Sequence, residues 1–142
     1  MTNDYRIVYE DSTGVLCVII PTLLCKEEDL LKLIPPEVVD FDIISLDDFP
    51  EDRVFRKAWV RVDGFIQENL GKAIEIAHDI RKAKRSSEFE PLDMAYVLDI
   101  PGNNKMEIEK KRQVIRDKYD IIQINIDKCI SVSELRLVLK SF

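Results

Sequence analysis

The apolar positions of the chain change period part-way along its length. Tyr5-Arg-Ile-Val-Tyr-Glu10 and Val15-Leu-Cys-Val-Ile-Ile20 are β-branched and aromatic runs separated by Asp11-Ser-Thr-Gly14, a turn sequence in which Gly14 can take a positive φ. They predict a β-hairpin that Pro21 ends, because proline has no N–H to give to a ladder. Residues 25–34 read as a short helix, with Glu27, Glu28 and Asp29 in its first turn and Leu30, Leu31, Leu33 and Ile34 toward the sheet. Pro35-Pro36 stops it. Phe41, Ile43 and Ser45 alternate with Asp40, Asp42 and Ile44, a strand pattern with one wet face, and 46–52 reads as a turn or loop. Residues 53–62 are expected to form a further strand, closed by the turn pair Asp63-Gly64.

From Asn69, a candidate N-cap, the period becomes helical: Leu70, Ala73, Ile74, Ala77 and Ile80 share a face. Ser86-Ser-Glu-Phe-Glu-Pro91 predicts an interruption, since proline is at home only in a first turn or at a kink. Leu92, Ala95, Tyr96 and Val97 restart an apolar face, and Pro101-Gly-Asn-Asn104 breaks it. Residues 105–117 form a charged helix with Ile108, Ile115 and the stem of Arg112 on one stripe. Ile122, Ile124 and Ile126 alternate with Gln123 and Asn125 and predict an extended strip. Ser131-Val-Ser-Glu134 is a capping box, opening a last helix whose Leu135, Val138, Leu139 and Phe142 share a face. The expected class is α+β: an N-terminal antiparallel β-sheet with one short helix over residues 1–68, followed by a C-terminal helical region over 69–142.

Charge divides unevenly. Residues 1–71 hold 7 Lys/Arg against 15 Asp/Glu, whereas 72–142 hold 14 against 12, within a formal net charge of −6. An acidic total argues against sequence-independent nucleic-acid binding and favours a protein partner. No apolar run is long enough to span a membrane, and Met1 to Arg6 lacks the order of a signal peptide, so a cytoplasmic location is expected. Cys17, Cys25 and Cys129 each sit in or beside an apolar run and read as small buried hydrophobes of a reducing compartment.

Candidate chemistry is sparse. Asp47/Asp48 and Glu51/Asp52 are adjacent carboxylates without a histidine or a spaced third ligand, the usual mark of a solvated loop. His78 is the lone histidine, and four glycines build no phosphate-cradling loop. Neither a metal nor a cofactor is expected, and the reading is non-catalytic. Trp59 is assigned to plugging the boundary between sheet and helices, with its N–H satisfied locally, in preference to stacking on a ligand. Arg81, Lys82, Lys84 and Arg85 cluster where the helix dipole favours cations, and could equally meet phosphates or an acidic surface.

Several separated pieces together resemble small proteins encoded beside tail-fibre genes in bacteriophages and prophages. They are Tyr5-Arg-Ile-Val-Tyr9, Val18-Ile-Ile-Pro21, Pro50-Glu-Asp-Arg-Val-Phe-Arg-Lys-Ala-Trp59, Lys72-Ala-Ile-Glu-Ile76, Asp79-Ile-Arg81, Leu92-Asp-Met-Ala-Tyr96, Lys111-Arg-Gln-Val-Ile-Arg-Asp117 and Ser133-Glu-Leu135. The second half is similar to the tail assembly chaperone pattern: an Arg-bearing helix (Arg81, Arg85), a Leu-Asp-aromatic step (Leu92, Asp93, Tyr96), then Arg112, Gln113, Arg116 and Asp117. It departs from that pattern at Met94, where an aromatic would directly follow Asp93, and in lacking a Pro-rich ending. The resemblance implies a non-catalytic protein assisting tail or tail-fibre assembly by protein–protein binding. Arg81, Arg85, Asp93, Met94, Tyr96, Arg112 and Arg116 would form its partner-binding surface, in a bacterial host's cytoplasm or on the virion. The alternatives are a structural component of the tail tip or baseplate, and an accessory inhibitor of a host defence or nucleic-acid enzyme acting through the acidic 37–52 stretch.

Overall fold

The computed structural model describes residues 4–98, 102 and 104–142. The fold is α+β, and the chain divides into two compact units, Met1–Asn69 and Leu70–Phe142.

In the first unit β1 (Tyr5–Glu10) lies between β2 (Leu16–Ile19) and β3 (Phe41–Ser45), antiparallel to both. The β1–β2 turn forms as its residues dictate. Gly14 takes φ 81°, and the Asp11 carboxylate accepts from Thr13 N, Thr13 Oγ1 and Val15 N at 2.8, 2.6 and 2.9 Å. These bonds, the Thr13 hydroxyl's first, hold the Asp11 carboxyl below the usual aspartate range. β4 (Trp59–Val62) and β5 (Phe65–Glu68) form a separate two-stranded sheet. Asp63 and Gly64, at φ 50° and 80°, make the tight turn between them that both left-handed residues require.

The main apolar cluster of this unit draws a side chain from every strand, Val8, Leu16, Ile44, Trp59 and Ile66, with Val18 and Phe49 packed against them, and Ile7 and Phe55 are fully buried as well. Each such burial contributes about 1.5–3 kcal/mol. Trp59 meets Phe49 edge to face at 5.8 Å, and the Arg56 guanidinium lies 4.8 Å from its ring centroid. Its indole N–H is buried with no hydrogen-bond partner, contrary to the expectation of a local acceptor.

Three local expectations for this unit change. The short helix is 3-10 in form (Glu27–Leu33) and buries only Leu30, leaving Leu31 and Leu33 exposed. The 53–62 strand starts only at Trp59, because a 3-10 turn, Arg56–Ala58, occupies its first half. In β3 the inward residue is Ile44, not Ile43. The register that pairs Val8 with Asp42 also places Asp42 on the core face. That carboxylate is tolerated because Arg61 on β4 reaches it at 2.9 Å while also contacting Asp40 at 2.8 Å, an ion-paired clasp between the two sheets.

The second unit consists of α1 (Leu70–Leu98), α2 (Lys105–Asp127) and α3 (Val132–Lys140). α1 runs unbroken through the expected interruption with Pro91 inside it, and α2 continues through 122–126, where an extended strip was expected. A single stripe explains the second correction. Ile108, Arg112, Ile115, Tyr119, Ile122 and Ile126 alternate four and three residues apart, a heptad seam that Ile-x-Ile-x-Ile conceals locally. Asn104 caps α2 by accepting from Met106 N at 2.9 Å; Pro101 and Asn103 of the predicted break lie outside the described residues. Ser131 caps α3 as expected, its Oγ accepting from Glu134 N, while Glu134 Oε2 reaches one residue past the cap and accepts from Ile130 N. Tyr119 is almost fully buried and meets Phe142 edge to face at 5.9 Å.

Arg61→Met is expected to destabilise the first unit by about 2–3 kcal/mol, because it leaves the Asp42 carboxylate on the core face uncompensated. Adding Asp42→Asn should recover part of that loss. Urea unfolding followed through Trp59 fluorescence, run as a double-mutant cycle, measures both effects.

Candidate functional site: a cationic groove between two helices

α1 and α2 run antiparallel, as their bridges show. His78 pairs with Asp127 at 2.7 Å, Glu88 with Lys118 at 2.8 Å and Asp93 with Arg112 at 3.2 Å, in opposite order along the two helices. The α1 seam begins with small residues, Ala73 and Ala77, both fully buried, and the next position at the same spacing is Arg81. The α2 seam likewise places Arg112 between Ile108 and Ile115. An arginine in each seam opens the helix pair into a groove of about 490 Å³, lined by Arg81, Lys82, Arg85, Arg112 and Arg116 together with Ser86, Phe89 and Asp93. Five cationic side chains and one carboxylate thus line it, while Glu109 and Asp79, outside the lining, pair with Arg112, Arg116 and Lys82.

The two seam arginines, Arg81 buried and Arg112 half-buried, are incompletely matched. Arg81 is only 9% exposed, and its Nε donates to His78 Nδ1 at 3.3 Å. Because Nδ1 accepts there, the imidazole proton sits on Nε2 and is donated to Asp127 Oδ1. Arg112 contacts Asp93 and, at 3.4 Å, Glu109, yet its Nε is buried without a partner. Arg116 donates to Glu109 at 2.7 Å and to Gln113 Oε1 at 3.1 Å. The Arg116 hydrogen bond is the main reason that the Glu109 carboxyl lies below the usual glutamate range. Lys118 is shifted upward, first by its hydrogen bond to Glu88.

Phe89 is the aromatic centre of the groove. The guanidinium carbons of Arg85, Arg112 and Arg116 lie 5.0, 5.9 and 6.0 Å from its ring centroid, within cation–π range. Stacked guanidinium groups keep N–H edges for an acceptor, so the arrangement suits an anionic group flanked by an apolar one.

Of the residues expected at a binding surface, Arg81, Arg85, Asp93, Arg112 and Arg116 come together here. Tyr96 borders the groove through Arg112, 5.8 Å from its ring, and also meets Lys105 at 5.2 Å. Met94 is exposed and does not line the groove. Lys82 joins from the basic cluster, whereas Phe89 and Ser86 are members that the sequence reading does not include. Their signal was helical spacing, Ser86 and Phe89 following Lys82 by four and seven residues, hidden by the predicted interruption.

The other candidate groups are placed differently. Cys129 is buried, its thiol 3.2 Å from Asn125 O, and burial pushes its pKa up, opposite to the direction that activates a nucleophile. Asp47 and Asp48 lie in a 3-10 turn that Ser45 caps. Among the described residues no group of three His, Cys, Asp or Glu side chains is arranged to hold a metal, and no helix is long and apolar enough to cross a membrane.

Glu109 has a folded pKa below its ordinary one, so its contribution to stability is present above the ordinary glutamate pKa. It is lost as the pH falls through the lowered folded value. Glu109→Gln is therefore expected to flatten the acid limb of a stability-versus-pH curve, measured as urea midpoints by far-UV circular dichroism. Comparison with family models, with curated proteins and with solved structures finds no significant match to the chain.

Proposed function

We propose that the chain is a non-catalytic binding protein, derived from a phage or prophage, that assists tail or tail-fibre assembly by holding another protein. Its α1–α2 groove takes an acidic segment with neighbouring apolar side chains from that partner. The observation that carries this reading is the convergence of five cations and Phe89 on a groove containing one lining carboxylate. Such a surface attracts anions over a distance and retains them by bidentate contacts and stacking. The tail-fibre setting rests on the sequence resemblance, whose Arg-bearing and Arg-Gln-x-x-Arg-Asp helices are the two walls of the groove.

Affinity capture of the tagged protein from cells expressing its genomic neighbours, read by mass spectrometry, tests the proposal. The wild type is expected to recover a tail or fibre protein. Arg85→Ser/Arg116→Gln, which alters half-buried rim positions, should recover at least about tenfold less while keeping the wild-type circular dichroism. Raising the salt concentration should lower recovery, as contact between opposite charges requires. Capture of a host nuclease or of nucleic acid alone, or equal recovery by the variant, would overturn it.

A further inference from the structure

The first unit contains a second cationic cleft, independent of the helical groove. It occupies about 330 Å³ and brings together Arg6 from β1, Arg53 and Arg56 from the segment before β4, and an apolar wall that includes Val18, Phe49 and Trp59. Glu51 is the one carboxylate lining it. The volume falls within the range of about 300–1,000 Å³ usual for small-molecule sites, and the mixture of a few converging polar groups with aromatic walls is also typical of them.

The three arginines differ in how they are held. Arg6 Nη1 donates to Tyr5 O at 2.9 Å. Arg56 is half-buried and fixed from two sides, donating through Nη2 to Leu16 O at 2.9 Å while its guanidinium lies over the Trp59 ring. Arg53 is exposed, and its guanidinium has no hydrogen-bond or ion-pair partner among the described residues. Trp59 is 6% exposed, and its buried N–H has no acceptor. The cleft therefore gathers donors around an aromatic wall and is short of acceptors.

We infer that this cleft binds a small amphipathic anion: a carboxylate or phosphate group carried on a planar or branched apolar body. The anionic oxygens pair with Arg53 and Arg56, and the apolar body packs on Phe49 and the Trp59 wall. Charge-assisted hydrogen bonds from a guanidinium give the head group its selectivity, whereas the wall rejects a fully hydrated ion. A ligand that engages Arg56 also changes the cation lying over Trp59, so the lone tryptophan reports occupancy directly.

The test is titration of the full-length protein with phenyl phosphate and with phenylacetate, followed by Trp59 emission. Inorganic phosphate and benzyl alcohol serve as the head group and the body alone. Saturable binding of either aromatic anion, at least about tenfold tighter than of both controls, is expected. Arg53→Ala, at an exposed position, should weaken that binding by about tenfold or more, and Arg56→Lys should weaken it while preserving the charge. Arg85→Ser/Arg116→Gln should leave it unchanged. The inference is overturned by an absence of saturable response, by equal binding of either control, by wild-type affinity in both Arg53→Ala and Arg56→Lys, or by loss of the response in the helical-groove variant.

Discussion

A guanidinium that cannot shed its proton, set in the seam of a helix pair, is the constraint on which the second unit depends. Arg81 and Arg112 occupy positions that the spacing of their neighbours reserves for apolar side chains. Neither can be neutralised by deprotonation, so each must find acceptors or keep a route to solvent. The helices meet both demands. His78 and Asp127 extend from Arg81 as a relay of hydrogen bonds, Asp93 and Glu109 reach Arg112, and the remaining space stays open as the groove. Binding capacity and imperfect seam packing are thus one feature seen from two sides.

The first unit solves the converse problem. Its strands are short, and within its main apolar cluster each contributes one large side chain. Arg61 adds a directional contact, tying Asp42 of β3 and the adjoining Asp40 to β4. Two of the carboxylates in the acidic 37–52 stretch, the half-buried Asp42 and the exposed Asp40, are consequently ion-paired within the unit.

What the sequence disclosed was mostly local. The turns at Asp11–Gly14 and Asp63–Gly64, the N-cap at Ser131 and the division between a sheet-forming and a helical half depend on neighbouring residues, and they could be read from the order of residue types. The errors came from partners distant along the chain. Ile43 and Ile44 could exchange faces because Asp42 is balanced by an arginine on another strand. Ile122 to Ile126 could pass for a strand because the seam beginning at Ile108 is recognised only over several turns. Most of the groove residues lie where the sequence resemblance puts a binding surface, but Phe89 does not, because Ser86 to Pro91 reads as an interruption and not as the helix that aims it at three arginines.

Pro91 gives α1 a property beyond its place in the helix. Having no amide hydrogen, it cannot donate to the Ser87 carbonyl, so the ladder of α1 lacks a rung within the stretch that carries Phe89 and Asp93. The backbone bonding between positions 70–90 and 92–98 is weaker by that one bond. Opening of the last two turns therefore frees the Asp93 end of the groove wall, with its bridge to Arg112, without unwinding the Arg81 to Phe89 part, and slow amide exchange at Arg81 and Arg85 can coexist with fast exchange beyond Pro91.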